Sequence, residues 1–359
     1  MSLIKRLSIS KLRPGMIIAE DVLTHNNQLI FPKGLMLTDK SITRMEFFSI
    51  MYVRVEDEVI TPVEESELPS YSERLKETPE FVEFKKVFDE DITTFRTALN
   101  DIVEKGTPLN PETLLSDTIG LIESSEGHVS VFDMLHNMRD YDDDTYAHAV
   151  NVALICNVFA RWLRFSQEEI DLATMAGLLH DVGKMKIPDE IMKKPDKLTS
   201  QEYRIVKKHC QEGFKILADQ DLDKRIKNAA LMHHERNDGS GYPYGLTADR
   251  IDMYAKMVAI ADVYDAMTSA RIYRGPLCPF VVISIFENEG LQKYDTRFIM
   301  TFLENIVNTY VLHRVRLSNG VEGEVVYINR SHLSKPTIKC GKQYIDLAKN
   351  PDLFIEALV

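Results

Sequence analysis

Two histidine-rich segments constrain the fold of this chain more than any other feature of its sequence. Five of its ten histidines lie between His148 and His234, and three of these fall in the segments HDVGK at 180–184 and HHERNDGSGYP at 233–243. Adjacent imidazoles are costly to bury unless they are hydrogen-bonded or ligated. Divalent ions accept both carboxylate oxygen and imidazole nitrogen, so mixed His and Asp clusters suit iron, manganese, nickel or zinc. The sequence therefore predicts a fold that brings these segments together around a metal centre.

Length, charge and cysteine spacing narrow the class of protein. A chain of 359 residues can form two or three domains. No segment has the roughly 18–20 apolar residues of a membrane helix, and the N-terminus lacks the apolar core of a secretion signal. The net charge of −12 argues against duplex nucleic acid as a partner. The four cysteines form no CxxC pair, which predicts neither disulfides nor a thiolate zinc site and favours the cytoplasm.

The hydrophobic pattern predicts a mostly α-helical protein with a small α+β domain at its N-terminus and a short β appendage at its C-terminus. Turn signals interrupt alternating segments near both ends, and apolar residues recur at spacings of three and four between them. The predicted units are an N-terminal domain at 1–60, a linker at 61–78, a helical connector at 79–140, a catalytic domain at 141–312 and the β appendage at 313–359. Within these units we expect helices at about 39–49 and, as one continuous element, 199–217, and two hairpins in the appendage.

The first long helical pattern has one apolar face, which starts at Phe81 and ends at Ile102. Two interpretations are open. The helix packs its apolar face against its own domain, or it forms a homodimer or carries a signal. We favour the first, because an amphipathic helix is most often a docked one.

The first candidate ligands lie on two predicted helices. Asp144 precedes His148 by four residues, so both side chains share a helical face. His180 and Asp181 end an apolar helix, and because adjacent residues point about 100° apart, this doublet can reach two ions or bridge them. Gly183 allows a tight exit from the helix. Lys184 places a cation beside the metals.

The remaining candidates follow in three groups. His209 is unremarkable by itself, whereas the doublet at 233–234 leads into a tightly turned glycine-rich loop. Asp262 follows an apolar run, where an unpaired carboxylate would be expensive; Asp265 is either a partner of a ligand, a hydrogen-bond acceptor or exposed. Arg271 and Arg274 follow, and guanidinium groups match phosphate geometry.

The order of these motifs resembles the HD-GYP family, bacterial phosphodiesterases of cyclic di-GMP within the HD phosphohydrolase superfamily. The resemblance covers about 140–290 and rests on the joint set of motifs, including the GYP tripeptide at 241–243. It implies an all-helical HD-type domain. It also implies that one ion is held by His148, His180, Asp181 and Asp262, and a second by His209, His233, His234 and the bridging Asp181. A third ion, through Asp144, stays open because trinuclear members carry Glu there.

The resemblance implies further roles and partners. Lys184, Arg271 and Arg274 would grip the substrate, with His180, Asp181 and Lys184 acting in catalysis. Gly241, Tyr242 and Pro243 would contact diguanylate-cyclase domains or simply shape the pocket. Iron or manganese is favoured over nickel or zinc.

Three functional hypotheses follow. In the first, two ions about 3.5–4 Å apart activate water that cleaves cyclic di-GMP to the linear dinucleotide pGpG or on to GMP. In the second, the same pocket is a non-catalytic sensor of cyclic di-GMP, which a missing ligand would favour. In the third, the substrate is another cyclic dinucleotide such as cyclic GMP–AMP.

Overall fold

A computed structural model describes most of the chain. The described residues are 4–13, 15–23, 29–37, 41–42, 45, 50, 52–56, 75–124, 131–138, 145–194, 196–269 and 275–359. Most of the helix predicted at 39–49 and of the linker predicted at 61–78 lies outside them, as do Asp144, Arg271 and Arg274.

Short strands form two small sheets at the N-terminal end. The strands are β1 (Ile4–Ser8), β2 (Ile17–Ile18), β3 (Val22–Leu23), β4 (Leu29–Phe31) and β5 (Tyr52–Glu56). The middle strand β5 pairs antiparallel with both β1 and β2, and β3 pairs with β4. Along β5 the side chains alternate, so that Val53 and Val55 face inward onto a core that includes Ile18, Leu37 and Met45.

The middle of the chain is helical. Its helices are α1 (Pro79–Lys105), α2 (Pro111–Ser124), α3 (Val131–Asn137), α4 (Thr145–Trp162), α5 (Gln167–Leu179), α6 (Asp189–Met192), α7 (Ser200–Val206), α8 (His209–Ala218), α9 (Lys224–Met232), α10 (Met253–Thr268), α11 (Pro279–Ile285), α12 (Leu291–Lys293) and α13 (Thr296–Thr309). A 3₁₀ turn at Val182–Lys186 follows α5. The predicted mostly helical fold with small sheets at both ends is confirmed.

Capping residues define both ends of helix α1. The Thr78 hydroxyl accepts a hydrogen bond from the Phe81 amide, and Gly106 ends the helix in the left-handed conformation at φ 67°. The apolar face from Phe81 to Ile102 is buried in the helical core, where α1 packs on α2 and α4. The interpretation in which this helix packs its apolar face against its own domain therefore agrees with the structure.

Asp91 is an exception on that buried face, and we expect it to make stability depend on pH. Burial, reinforced by Asp117, raises the pKa of Asp91 to about 7, and its Oδ2 has no hydrogen-bond partner among the described residues. The unfolded carboxyl loses its proton near its ordinary pKa, so stability should fall between about pH 4 and pH 7 and stay low above. Asp91→Asn should therefore raise the free energy of unfolding at pH 8 by about 1–3 kcal/mol.

Urea unfolding at pH 5 and pH 8 measures this effect. The control is Glu90→Gln, which changes an exposed carboxylate on the same helix. An Asp91→Asn gain that is equal at both pH values would contradict the assignment.

The prediction of one continuous helix over 199–217 is wrong, because the structure has two helices there. The chain leaves α7 after Val206 and starts α8 at His209. The Val206 carbonyl, at the end of α7, accepts a hydrogen bond from Nδ1 of His209 at 2.7 Å. End carbonyls of a helix need such partners, and the His209 ring that supplies this one is buried.

A five-stranded antiparallel sheet ends the chain. Its strands are β6 (Arg314–Leu317), β7 (Glu322–Tyr327), β8 (Thr337–Cys340), β9 (Gln343–Asp346) and β10 (Ile355–Leu358), in the order β10-β6-β7-β8-β9. The two predicted hairpins are present, and β10 is an unpredicted addition. Nε2 of His313 lies 2.7 Å from Asp133, and the Glu287 carboxylate accepts from the amides of Leu333 and Ser334, which fastens the sheet to the helices. Across the described ranges, no helix has both the length and the hydropathy to cross a bilayer.

Candidate metal centre

Four packed helices deliver four of the candidate ligands to one point. Helices α4, α5, α9 and α10 pack against one another. His148 lies on α4 and Asp262 on α10, whereas His180 ends α5 and His233 ends α9. Because helix ends and inward-facing helical positions meet in the middle of the bundle, residues far apart in sequence become neighbours.

The first group of ligand atoms surrounds Oδ2 of Asp181. Nε2 of His180 lies 3.1 Å from that oxygen and Nε2 of His148 lies 3.7 Å from it. Nε2 of His148 is also 3.1 Å from Oδ1 of Asp262. His148, His180 and Asp262 each offer an atom within 4.8 Å of the others. This spacing is that of donors around one ion.

The second group surrounds the other oxygen of the same carboxylate. Nε2 of His209 lies 3.4 Å from Oδ1 of Asp181, and Nε2 of His233 lies 3.7 Å from it. The two imidazole nitrogens are 3.2 Å apart. His234 completes this group and its Nδ1 is 3.9 Å from Oδ2 of Asp262. Asp181 therefore presents one oxygen to each group, which is the geometry of a carboxylate that bridges two ions.

Hydrogen bonds on the far side of each ring determine which nitrogen faces the centre. Nδ1 of His180 lies 2.7 Å from the Gly177 carbonyl, and Nδ1 of His233 lies 3.1 Å from the carbonyls of Ala229 and Ala230. Nδ1 of His209 faces the Val206 carbonyl in the same way. A carbonyl can only accept, so each Nδ1 carries the hydrogen and each Nε2 directs a lone pair inward.

His148 has a carboxylate in place of the carbonyl. Its Nδ1 lies 2.6 Å from Oδ2 of Asp265, which is buried. Of the three interpretations of Asp265, this contact agrees with the one in which Asp265 is the hydrogen-bond partner of a candidate ligand. Burial lowers the pKa of His148, yet the hydrogen bonds with Asp262 and Asp265 raise it to about 9. A cation between His148 and Asp262 would replace the proton on Nε2.

Several buried atoms have the chemistry of metal ligands. Nε2 of His180 and Oδ1 of Asp181 have no hydrogen-bond partner among the described residues. Burial alone would raise the pKa of Asp181, but Lys184 and His180 hold it well below its usual range. Burial lowers the pKa of His209 to about 4. Ionised carboxylates and neutral imidazoles are the forms that bind divalent ions.

One side of the centre is open. The side chains of His180 and Asp181 are 0% and 2% exposed, whereas those of Lys184 and His234 are 19% and 20% exposed. Nζ of Lys184 lies 2.5 Å from Oδ2 of Asp181. An anion that reaches the centre from this side meets a cation at its entrance.

Gly183 has a different role from the one its position in sequence predicts. Its φ is not in the left-handed region, so it is not needed for the exit from α5. A Cβ at Gly183 would overlap the carbonyl oxygen of His209 and the amide nitrogen of Gly213. The absence of a side chain lets the turn that carries Asp181 press directly on the helix that carries His209.

The loop after His234 is held in place by a buried carboxylate. Glu235 accepts hydrogen bonds from the amides of Tyr244 at 2.7 Å and Leu246 at 2.9 Å. A Cβ at Gly241 would overlap the backbone of 234–236, so the loop folds back tightly on the ligand doublet. This arrangement places the Tyr242 ring against the metal centre.

Tyr242 belongs to an aromatic cluster that the sequence did not reveal. Its ring stacks on His234 at 4.6 Å and meets the Tyr203 ring edge-on at 6.5 Å. Nζ of Lys207 lies 5.2 Å from the Tyr203 ring centre and 5.5 Å from that of Tyr242. Tyr203 is 47% exposed. We call Tyr203, Lys207 and Tyr242 the aromatic platform; only the spacing of four between Tyr203 and Lys207 on a helix could have suggested it.

The structure thus brings together seven of the eight predicted metal ligands. They are His148, His180, Asp181, His209, His233, His234 and Asp262. Lys184 joins them, and the loop at 241–243 borders them. The structure does not place Asp144, Arg271 or Arg274, which lie outside the described residues.

Comparisons with known proteins identify a domain family and several relatives. Residues 133–298 match the family model described as HD domain. The chain is 35% identical over 227 residues to the cyclic di-GMP phosphodiesterase PA4108 of Pseudomonas aeruginosa, covering 62% of this chain and 54% of that protein. It is 41% identical over 136 residues to the cyclic di-GMP phosphodiesterase response regulator RpfG of Xanthomonas campestris, covering 37% and 36%.

A third relative is named for a different substrate. The 3'3'-cGAMP-specific phosphodiesterase 2 of Vibrio cholerae is 40% identical over 148 residues, which cover 41% of this chain and 28% of that protein. The chain spans about half or less of the length of these three relatives. Among solved structures, Bd1817, described as a HDG"Y"P protein from Bdellovibrio bacteriovorus, has a TM-score of 0.51 at 16% identity over 85% of this chain and 99% of that one. That likeness concerns the fold alone.

The class of protein follows from the fold and the ligands together. Residues 133–298 form an HD domain whose His and Asp clusters are able to bind metal. Residues 133–298 are an HD domain, and relatives named as cyclic di-GMP phosphodiesterases confirm the resemblance drawn from its motifs.

Proposed function

We propose that this protein is a metal-dependent phosphodiesterase that hydrolyses cyclic di-GMP. The observation that carries the proposal is Asp181, whose two carboxylate oxygens each face a separate group of buried imidazole nitrogens. Relatives named as cyclic di-GMP phosphodiesterases support the choice of substrate.

Each part of the centre has a chemical task in this proposal. Two divalent ions, iron or manganese before nickel or zinc, would lower the pKa of water enough to supply a nucleophile at neutral pH. Asp181, together with the two histidine groups, would hold them. Lys184 stands at the open side and neutralises the charge on the phosphate oxygens. The oxygen of water forms the new bond to phosphorus, the bond to the 3′ oxygen breaks, and a proton passes to that oxygen. The first product is pGpG, and a second cleavage gives GMP.

The aromatic platform extends the site from phosphate to base. It borders His234 on the open side of the centre, and its Tyr203 ring is exposed. Bases stack on such rings, and a lysine beside them can reach the acceptor atoms of guanine. We therefore assign one base of the dinucleotide to Tyr203 and Lys207.

Replacing Tyr203 with Ala should raise KM for cyclic di-GMP about 10-fold with little change in kcat. Stacking on an aromatic ring is worth about 1–3 kcal/mol per base, and loss of binding shared by ground and transition states changes KM alone. Steady-state kinetics measures both constants. Tyr203→Phe keeps the ring and should behave like the wild type, as should Tyr344→Ala in the C-terminal sheet. A fall in kcat without a rise in KM would contradict this assignment.

Cyclic GMP–AMP is the second candidate substrate, favoured by the relative named as specific for 3'3'-cGAMP. Both substrates have the same phosphodiester backbone, so the metal centre does not distinguish them. The sensor hypothesis expects a missing ligand, and each of the seven described ligands is present. No observation favours it.

A substrate panel tests the proposal. The wild type is incubated with cyclic di-GMP, cyclic GMP–AMP, cyclic di-AMP and bis(p-nitrophenyl) phosphate, and kcat/KM is measured for each. We expect the highest value for cyclic di-GMP. A higher value for cyclic GMP–AMP would transfer the assignment to that substrate, and cleavage of the p-nitrophenyl ester alone would refute a cyclic dinucleotide as substrate.

Other expectations belong to this proposal. Arg271 and Arg274 would bind the phosphates or bases, and Asp144 would hold a third ion if one is present. The loop at 241–243 would contact diguanylate-cyclase domains. A homodimer is also a prediction that sedimentation can check.

A further inference from the structure

We propose that Cys210 is an additional metal ligand, which binds as a thiolate to the ion held by His209, His233 and His234. This inference rests on the metal centre of the proposed function and does not depend on the substrate. It adds a sulfur donor to a centre otherwise composed of nitrogen and oxygen.

The position of Cys210 is the first reason. It follows His209 at the start of α8 and is fully buried. Its Sγ lies 3.4 Å from Nε2 of His209, the nitrogen that faces the centre. Cys210, His209, His233 and His234 each contribute one atom, and these four atoms lie within 4.8 Å of one another.

The distances match coordination at one ion. With metal–sulfur and metal–nitrogen bonds of about 2.3 and 2.0 Å, tetrahedral donors lie about 3.5 Å apart for sulfur and nitrogen and about 3.3 Å apart for two nitrogens. The corresponding distances are 3.4 Å for Cys210 and His209 and 3.2 Å for His209 and His233. Oδ1 of Asp181, a buried atom without a hydrogen-bond partner among the described residues, lies 3.4 Å from the same His209 nitrogen.

Competition for one lone pair is the second reason. Nδ1 of His209 donates to the Val206 carbonyl, so Nε2 has a single lone pair. Without an ion, the Cys210 thiol can donate its hydrogen to that lone pair. An ion on Nε2 removes this acceptor, and the thiol at 3.4 Å then faces the ion. Binding as thiolate sends the thiol proton to solvent and forms the metal–sulfur bond, because the thiolate is the form that binds metals.

A sulfur donor has a consequence for metal choice. Soft thiolate favours zinc and iron, whereas manganese prefers oxygen ligands. For the ion beside His209 this donor changes the ranking given under the proposed function, and we expect zinc or iron there more readily than manganese. The absence of a CxxC pair does not exclude this ligand, because its partners are histidines brought close by folding.

Cobalt spectroscopy on the full chain tests the proposal directly. The metal-free protein is titrated with Co(II), and the near-ultraviolet sulfur-to-cobalt charge-transfer band is recorded together with the visible bands of the ion. We expect the charge-transfer band in the wild type. Cys210→Ser should lose it while keeping the visible bands, and its affinity for zinc should fall at least about 10-fold, the loss typical even of an outer-shell partner.

The matched control is Cys156→Ser, which changes a fully buried cysteine on α4 that is absent from the groups of candidate ligands among the described residues. Its charge-transfer band should persist. Loss of the band in this control but not in Cys210→Ser would overturn the assignment.

X-ray absorption of the zinc-loaded wild type tests for the sulfur ligand without the use of any variant. A sulfur shell at about 2.3 Å beside the nitrogen shell is expected. A wild type that binds two ions per chain with no sulfur shell and no charge-transfer band refutes the thiolate. A sulfur shell in protein that hydrolyses no cyclic dinucleotide would refute the proposed function and leave this ligand standing.

Discussion

Asp181→Asn should reduce turnover of cyclic di-GMP by at least about 10³-fold. The substitution keeps the size of the side chain but removes the charge and one of the two oxygens that face the two ligand groups. Metal ions supply several kcal/mol of transition-state stabilisation, and about 1.4 kcal/mol corresponds to a factor of ten in rate. Single-turnover kinetics at saturating substrate measures the loss, and elemental analysis should show less than the wild-type number of ions per chain.

The control for this variant is Asp189→Asn. Asp189 begins the short helix that follows the same 3₁₀ turn, its side chain is 74% exposed, and it pairs only with Lys193 among the described residues. Its turnover and metal content should equal those of the wild type. If Asp181→Asn retained both metals and normal turnover, the bridging role of this carboxylate would be refuted.

Gly183→Ala is the second variant for which we expect a large effect. The new methyl group would overlap backbone atoms of His209 and Gly213, which cannot move aside as a flexible side chain can. Helix α8 must therefore shift away from the turn that carries Asp181. We expect a loss of about 1–3 kcal/mol or more in the free energy of unfolding, together with weaker binding of the ion beside His209. Urea unfolding and metal titration measure the two effects.

Gly120→Ala provides the comparison. Gly120 lies in helix α2 with nothing within 4 Å of the position that a Cβ would occupy. This substitution should stabilise the protein by about 0.5–1 kcal/mol, because alanine favours a helix over glycine. A Gly183→Ala protein as stable and as rich in metal as the wild type would show that the contact with His209 is not required.

The sequence was sufficient to predict those helices, strands and candidate ligands that follow a local sequence pattern. The apolar face of α1 follows from spacings of three and four, and the hairpins of the C-terminal sheet follow from their turns. The histidine and aspartate ligands are visible because their residue types are unusual in such segments and their order resembles a known family. Local patterns of this kind carry their own signal.

Features that depend on tertiary contacts could not be predicted from the sequence. Asp265 contacts Nδ1 of His148 from a position 117 residues away in sequence. Position 183 must lack a side chain because α8 packs directly against its backbone. At the break between α7 and α8 a side-chain hydrogen bond joins His209 to the Val206 carbonyl, and no helix propensity describes such a contact. Cys210 and Tyr203 acquire their neighbours only when helices from distant segments meet.

The most direct test of the proposed phosphodiesterase activity is product analysis with protein reconstituted anaerobically with Fe(II) to two ions per chain. Cyclic di-GMP is added, and the products are separated by liquid chromatography and identified by mass. We expect pGpG as the first product, followed by GMP if a second cleavage occurs. Unchanged cyclic di-GMP in the presence of protein that carries both ions would refute the proposed activity.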